Sequence, residues 1–168
     1  ANFKDFLSTR PQDKPFCFWL GTHEPHRGYK RNLWKGKDLS KVVVPASLPD
    51  HATVRRDILD YCHEIEYFDR VVGEALALLE KGGQLDNTIV VVTSDHGMPF
   101  PRAKASLYDA GTHVPLAIRW PKGIGTPGRV HQGLVSLSDL APTFLEAVGL
   151  PKPEMMIARS LLDVFAKP

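Results

Sequence analysis

Cysteine is nearly absent: Cys17 and Cys62 are the only two in 168 residues, too few for a disulfide framework or a cysteine metal cluster. Cys17 falls in an apolar strand pattern and Cys62 on a helix, so both are read as core residues. No apolar run approaches the roughly 20 residues that cross a bilayer, and no membrane partner is expected. The first residues, ANFKDFLSTRPQDK, lack the apolar stretch of a signal peptide. Nor does one charge dominate. The 21 basic and 19 acidic residues leave a net +2, too little to argue for nucleic acid or an anionic surface as partner. Repeats and low-complexity segments are missing too. What remains, 43% hydrophobic and 24% charged, is an ordinary globular composition with enough length for one core.

Periodicity gives the order of elements. A short helix is expected over Asn2 to Leu7, then a buried strand at FCFWL (16 to 20), stopped by Gly21. From Thr22 to Pro49 the chain is rich in Gly, Lys, Arg, Pro and Trp without a period, and so long a loop is usually functional. From Asp50 the spacing Val54, Ile58, Tyr61, Ile65, Phe68, Val72, Ala75, Leu79 predicts a long helix, ended by Gly82 and Gly83. Ile89 to Val92 reads as a fully buried strand and VPLAIRW (114 to 120) as another, with Arg129 to Val135 expected beside it. Ser138 or Asp139 caps a last helix, which runs to Val148 and stops at Gly149 and Pro151. Strand, helix and strand in this order point to a parallel α/β sheet.

The segment from Val90 to Phe100, VVVTSDHGMPF, carries the strongest chemical signal. Asp95 and His96 follow a strand's C-terminal end, where open α/β sheets bind ligands, and both residue types hold divalent cations. The plainer alternative makes Asp95 a turn cap and His96 an exposed loop residue. A second loop, after FCFWLGT, carries His23-Glu24-Pro25-His26-Arg27; further along the first lie Arg102, Lys104 and Tyr108. A parallel sheet brings these loops to one edge, offering metal ligands, proton-transfer groups and cations for an anionic substrate. That mixture suits hydrolysis of a charged ester. Taken singly, His23 and His26 also read as loop histidines bonded to backbone, and Lys104 as a solvated lysine.

As an ordered set the segments resemble the sulfatase family, within the alkaline phosphatase superfamily. The matching pieces are HEPHR (23 to 27), VPASLPD (44 to 50), EIEYFDRVVGEALALLE (64 to 80) and TSDHG (93 to 97). Lys104, GTHVPLAIRWP (111 to 121) and LVSLSDLAPTFLEAVGLP (134 to 151) complete the series over almost the whole chain. HEPHRGY and the unbroken SDHGMPFPxxKxxLY are closest to the N-sulfoglucosamine sulfohydrolases (heparan N-sulfatases) and their bacterial relatives. The resemblance implies a three-layer α/β/α fold with a mostly parallel sheet, of which residues 1–168 form a single partial domain. It implies Asp95 and His96 as ligands of one divalent cation, calcium first, with zinc or manganese as alternatives because imidazole suits them better. It implies Lys104 on a sulfate oxygen and His23 on the sulfate or protonating the leaving group. His26 assists at the substrate, Arg27 is structural, Asp69 belongs to the scaffold, and His113 carries no chemistry. The implied substrate is a sulfated sugar, N-sulfated first and O-sulfated next. The compartment implied is periplasmic, secreted or lysosomal.

Departures from the family pattern matter as much. Its nucleophile is a formylglycine made from the cysteine of C-x-P-S-R, yet Cys17 precedes Phe-Trp-Leu and Cys62 precedes His-Glu-Ile. The paired N-terminal aspartates that complete the metal site are also missing. The expectation is therefore a piece of a longer enzyme, inactive alone, binding the cation weakly or not at all. Uncovered apolar faces near FCFWL and IVVV are expected to self-associate. Two other readings stay open: a zinc phosphodiesterase or phosphatase of the same superfamily, which also carries D-H-G after a strand, and a non-catalytic relative that keeps the fold.

Overall fold

A computed structural model describes residues 2–166. They form two compact units, one made of the residues up to Leu85 with Thr93–Leu116, the other of Asp86–Val92 with the residues from Ala117 on.

The first unit is built on α2, Ala52–Lys81, 30 residues long. Asp50 does not cap it, because both its carboxylate oxygens take Arg55 (2.6 and 2.7 Å). His51 caps instead, Nδ1 accepting from the Thr53 amide at 3.2 Å. The helix ends as the Gly-Gly pair requires: Gly83 sits at φ 64°, its amide donates to the Glu80 carbonyl, and that of Gln84 to Leu79, both 2.9 Å. Ahead of it, α1 (Phe3–Thr9) begins at Asn2, whose side chain accepts from the Lys4 amide. Phe3 and Phe6 of α1 meet Phe18 at 4.8 and 4.7 Å between ring centroids, and Phe6 meets Phe16 at 5.6 Å.

That packing corrects the reading of FCFWL. The segment alternates like a strand, Phe16 and Phe18 inward, but no ladder forms along it. Cys17 and Trp19 face solvent, Trp19 being 89% exposed, so Cys17 is no core residue. Cys62 is half-buried on α2, and burial raises its thiol pKa.

Two strands pair, β1 (Val90–Thr93) and β2 (Leu116–Arg119). They run antiparallel: Arg119 bonds Asp86 at 3.0 Å at one end, and Thr93 Oγ1 donates to the Pro115 carbonyl at 2.8 Å at the other. The mostly parallel sheet is thus not what the described residues make. A parallel pairing needs a crossover element, and the connection holds only the four-residue helix α3 (Asp109–Thr112). β1 is half-buried along its whole length, not fully buried as its composition suggested. Residues 129–135 form no strand.

In the second unit, a 3-10 turn at Leu137–Asp139 leads into α4, Leu140–Ala147. Ser136 and Asp139 form a capping box around that turn. Asp139 is buried but satisfied, accepting from the amides of Ser136 (3.0 Å) and Arg159 (3.2 Å). Thr143 closes the core, accepting from the Leu161 amide at 2.8 Å and donating to the Asp139 carbonyl at 2.6 Å. A further helix, α5 (Leu162–Ala166), follows where a tail was expected.

Candidate active site

The residues singled out from the sequence all lie in the first unit. The loop after FCFWL folds back on itself, the His26 amide donating to the His23 carbonyl at 2.7 Å and Thr22 Oγ1 to the Glu24 carbonyl at 3.0 Å. His26 Nδ1 bonds the Arg27 carbonyl at 2.7 Å, the plain reading of a loop histidine. His23 is exposed, and among the described residues its ring has no partner.

Arg27 does more than any other residue of this loop. Its two terminal nitrogens grip Asp57 of α2 at 3.0 and 2.8 Å, a bidentate pair. Its Nε donates to the Pro99 carbonyl at 3.0 Å, and the guanidinium lies 4.8 Å from the Phe100 ring centroid. The hydrogen bond to Asp57 raises the Arg27 pKa. Tyr29 adds its hydroxyl to Asp57 at 3.1 Å; burial above all, then the Asp57 charge, raises the phenol pKa. Phe100 is buried against Tyr61 of α2, ring centroids 5.6 Å apart. So one side chain ties the HEPHR loop, the helix and the loop after β1 together. That replaces the sheet-edge convergence expected from sequence, since FCFWL is in no sheet.

In the loop after β1, Asp95 is 85% exposed and His96 36%, with Nε2 to Oδ1 at 3.7 Å. His96 Nδ1 lies 2.7 Å from the Gly97 carbonyl, an acceptor only, so Nδ1 carries the proton. With Nδ1 bonded to a carbonyl, Nε2 is the ring nitrogen left for a further partner, the arrangement that ligating histidines have. Gly97 has a steric reason to be glycine: a Cβ there would sit 1.8 Å from the Ala110 carbonyl oxygen. That close approach lets the Gly97 amide donate to the Gly111 carbonyl at 3.1 Å.

Lys104 is held by its backbone, its amide donating to the Met98 carbonyl at 3.1 Å beside fully buried Ala103. Arg102 (φ 63°) and Ala105 (φ 59°) flank it, both in the left-handed region that non-glycine residues rarely enter. Among the described residues the Lys104 ammonium has no hydrogen-bond or ion-pair partner. His113 pairs with Asp109 at 3.3 Å, Tyr108 is exposed, and Asp69 is an exposed residue of α2.

The two loops meet at Arg27, and Asp95 and His96 lie against each other. Among the described residues no hydrogen bond or ion pair joins His23 or Lys104 to Asp95 or His96. Likewise no group of three or more His, Cys, Asp or Glu residues is arranged for a metal. Asp95 and His96 fit as two members of a coordination set, and a hard cation needs six or more oxygens. Sequence reasoning passed over Asp57 and Asp60, whose only signal was acidic residues one turn apart on a helix, and gave Tyr29 no role beyond its place in HEPHRGY.

The sulfatase family model matches residues 1–150. The chain belongs to the sulfatase family. Among its relatives, human N-sulphoglucosamine sulphohydrolase is 30% identical over 92% of this chain and 35% of its own length. A structure from work on glycosaminoglycan metabolism by Bacteroides thetaiotaomicron matches with a TM-score of 0.78 and 27% identity, over 98% of this chain and 37% of that one. Another, in complex with D-glucosamine-2-N,6-O-disulfate, matches with a TM-score of 0.58 and 34% identity, over 67% of this chain and 23% of that one. The chain thus spans about a third of the human relative's length. Its structural neighbours include sulfatases, which have the alkaline phosphatase-like fold.

Proposed function

We propose that this chain supplies the cation-ligand loop and part of the sulfate-binding wall of a sulfatase that hydrolyses a sulfated amino sugar, N-sulfated first and O-sulfated next. The observation that carries it is the bond from Arg27 to the Pro99 carbonyl, which fixes the His23 loop beside the loop bearing Asp95, His96 and Lys104. Asp95 and His96 are two ligands of a divalent cation, calcium first, zinc or manganese otherwise. When bound, such an ion adds positive charge at the sulfuryl oxygens. The free Lys104 ammonium offsets charge on a sulfate oxygen as the S–N or S–O bond breaks. His23, unpartnered and exposed, protonates the departing nitrogen or oxygen, and His26 faces the sugar. The formylglycine nucleophile and the remaining ligands come from a further segment, where the mostly parallel three-layer sheet is completed.

Sulfate release from N-sulfoglucosamine and glucosamine 6-sulfate tests this. The 168-residue chain alone should give none; turnover by it overturns the divided site. Joined to a segment carrying formylglycine, activity should appear, and Asp95→Asn, Lys104→Ala or His23→Ala should each lower kcat about 100-fold or more. Unchanged kcat in all three sinks the assignment. The nitrogen donor of His96, which suits zinc, favours phosphodiester hydrolysis as the second reading. Faster cleavage of an aryl phosphodiester than of any sulfate establishes that reading instead.

A further inference from the structure

The near-zero net charge hides a local imbalance. Residues 27–41 hold six of the 21 basic residues and one acidic residue, a net +5, which leaves −3 on everything else. Two of the six are neutralised, Arg27 by Asp57 and Lys37 by Glu66. Asp38 is turned to its own turn, accepting from the Ser40 amide and hydroxyl at 2.9 and 2.7 Å. Lys30, Arg31, Lys35 and Lys41 are exposed, and none has a carboxylate partner among the described residues.

These four cations do not ride on a loose loop. Buried Asp60 accepts from the backbone amides of Asn32 (3.0 Å) and Trp34 (2.7 Å). Arg55 donates to the carbonyls of Leu39 and Val42 at 2.8 and 2.9 Å. The loop's anchors on α2 run from Arg55 to Glu66, eleven residues or roughly 16 Å of helix at 1.5 Å per residue. Several cations carried on a segment anchored over that length suit a ligand with several anionic groups along a chain, whereas a single sulfate would meet only one.

We propose that the 27–41 loop binds an extended sulfated polysaccharide, as a subsite continuous with the HEPHR loop. The choice of a glycan rests on the sulfatase reading above: a chain whose terminal sulfate lies at His23 runs on to Lys30 and Arg31 without a break in sequence. Single-stranded nucleic acid fits worse. It needs exposed rings for base stacking, but Tyr29 and Trp34 are half-buried, and Arg56 lies over the Trp34 ring at 4.9 Å.

Calorimetry of the chain with a size-defined heparin octasaccharide tests the subsite apart from catalysis. The combined variant Lys30→Ser, Arg31→Ser, Lys35→Ser, Lys41→Ser should bind about tenfold more weakly or worse, with a shallower salt dependence. A control that removes Lys4, Lys81, Lys122 and Lys152, four exposed lysines elsewhere, should bind as before, and circular dichroism should show both folded. A heparin disaccharide should bind far more weakly than the octasaccharide. Equal loss in both variants, no loss in the first, or equal affinity for an oligothymidylate of the same charge each overturns the proposal. The sulfatase reading fails separately, through turnover insensitive to Asp95, Lys104 and His23.

Discussion

Gly97 shows how much one residue decides here. The glycine of the Asp-His-Gly segment is not there for chain freedom but because the Ala110 carbonyl occupies the space of a side chain. Gly97→Ala should therefore destabilise the first unit by about 1–3 kcal/mol, read from a urea melt, because backbone must move. A change within experimental error would show that the two loops yield easily. Tyr29 gives a second test at this scale. Its folded pKa is raised, so the stability it contributes is complete below the unfolded phenol value of about 10 and is lost as pH rises above it. The melting temperature should fall more steeply above pH ~10 in the native chain than in Tyr29→Phe. Parallel curves would mean the phenol is equally accessible in both states.

At the level of elements, α2 does two jobs on different faces. Its apolar spacing was legible, and the helix formed close to the expected length. Its charged residues are not all given to solvent: Arg55, Asp57, Asp60 and Glu66 hold the 27–42 loop in place. Asp60→Leu should leave two amides without acceptors and cost about 1–3 kcal/mol for each that stays dry. Limited proteolysis should then cut near Asn32 and Trp34 well before global unfolding, whereas Asp60→Asn, keeping one acceptor, should resist longer. Cleavage unchanged by Asp60→Leu would mean that the loop is held by its other anchors alone.

Each unit of the whole molecule leaves large apolar side chains in solvent. Trp19 and Leu107 do so in the first, Leu134 and Ile157 in the second, with Ile157 98% exposed. Where such side chains adjoin in a contiguous patch, the surface associates or binds other chains. Sedimentation of the chain should show concentration-dependent self-association, and a hydrophobic dye should brighten on it. A dye-silent monomer at high concentration would refute this.

Local signals sufficed for much of this molecule. Apolar spacing placed α2 and the Gly-Gly pair its end, both from residues within a turn or two of each other, whereas the cap expected at Ser138 or Asp139 is supplied by Ser136. The ordered motifs also sufficed for family membership, because they span nearly the whole chain. Tertiary structure alone decided that FCFWL lies unpaired against α1, that β1 and β2 run antiparallel, and that an arginine joins the two loops of the site. Pairing partners and the acceptor chosen by a long cation depend on residues 22 to 72 positions away in the chain, and no local pattern encodes which of several carboxylates or carbonyls is met.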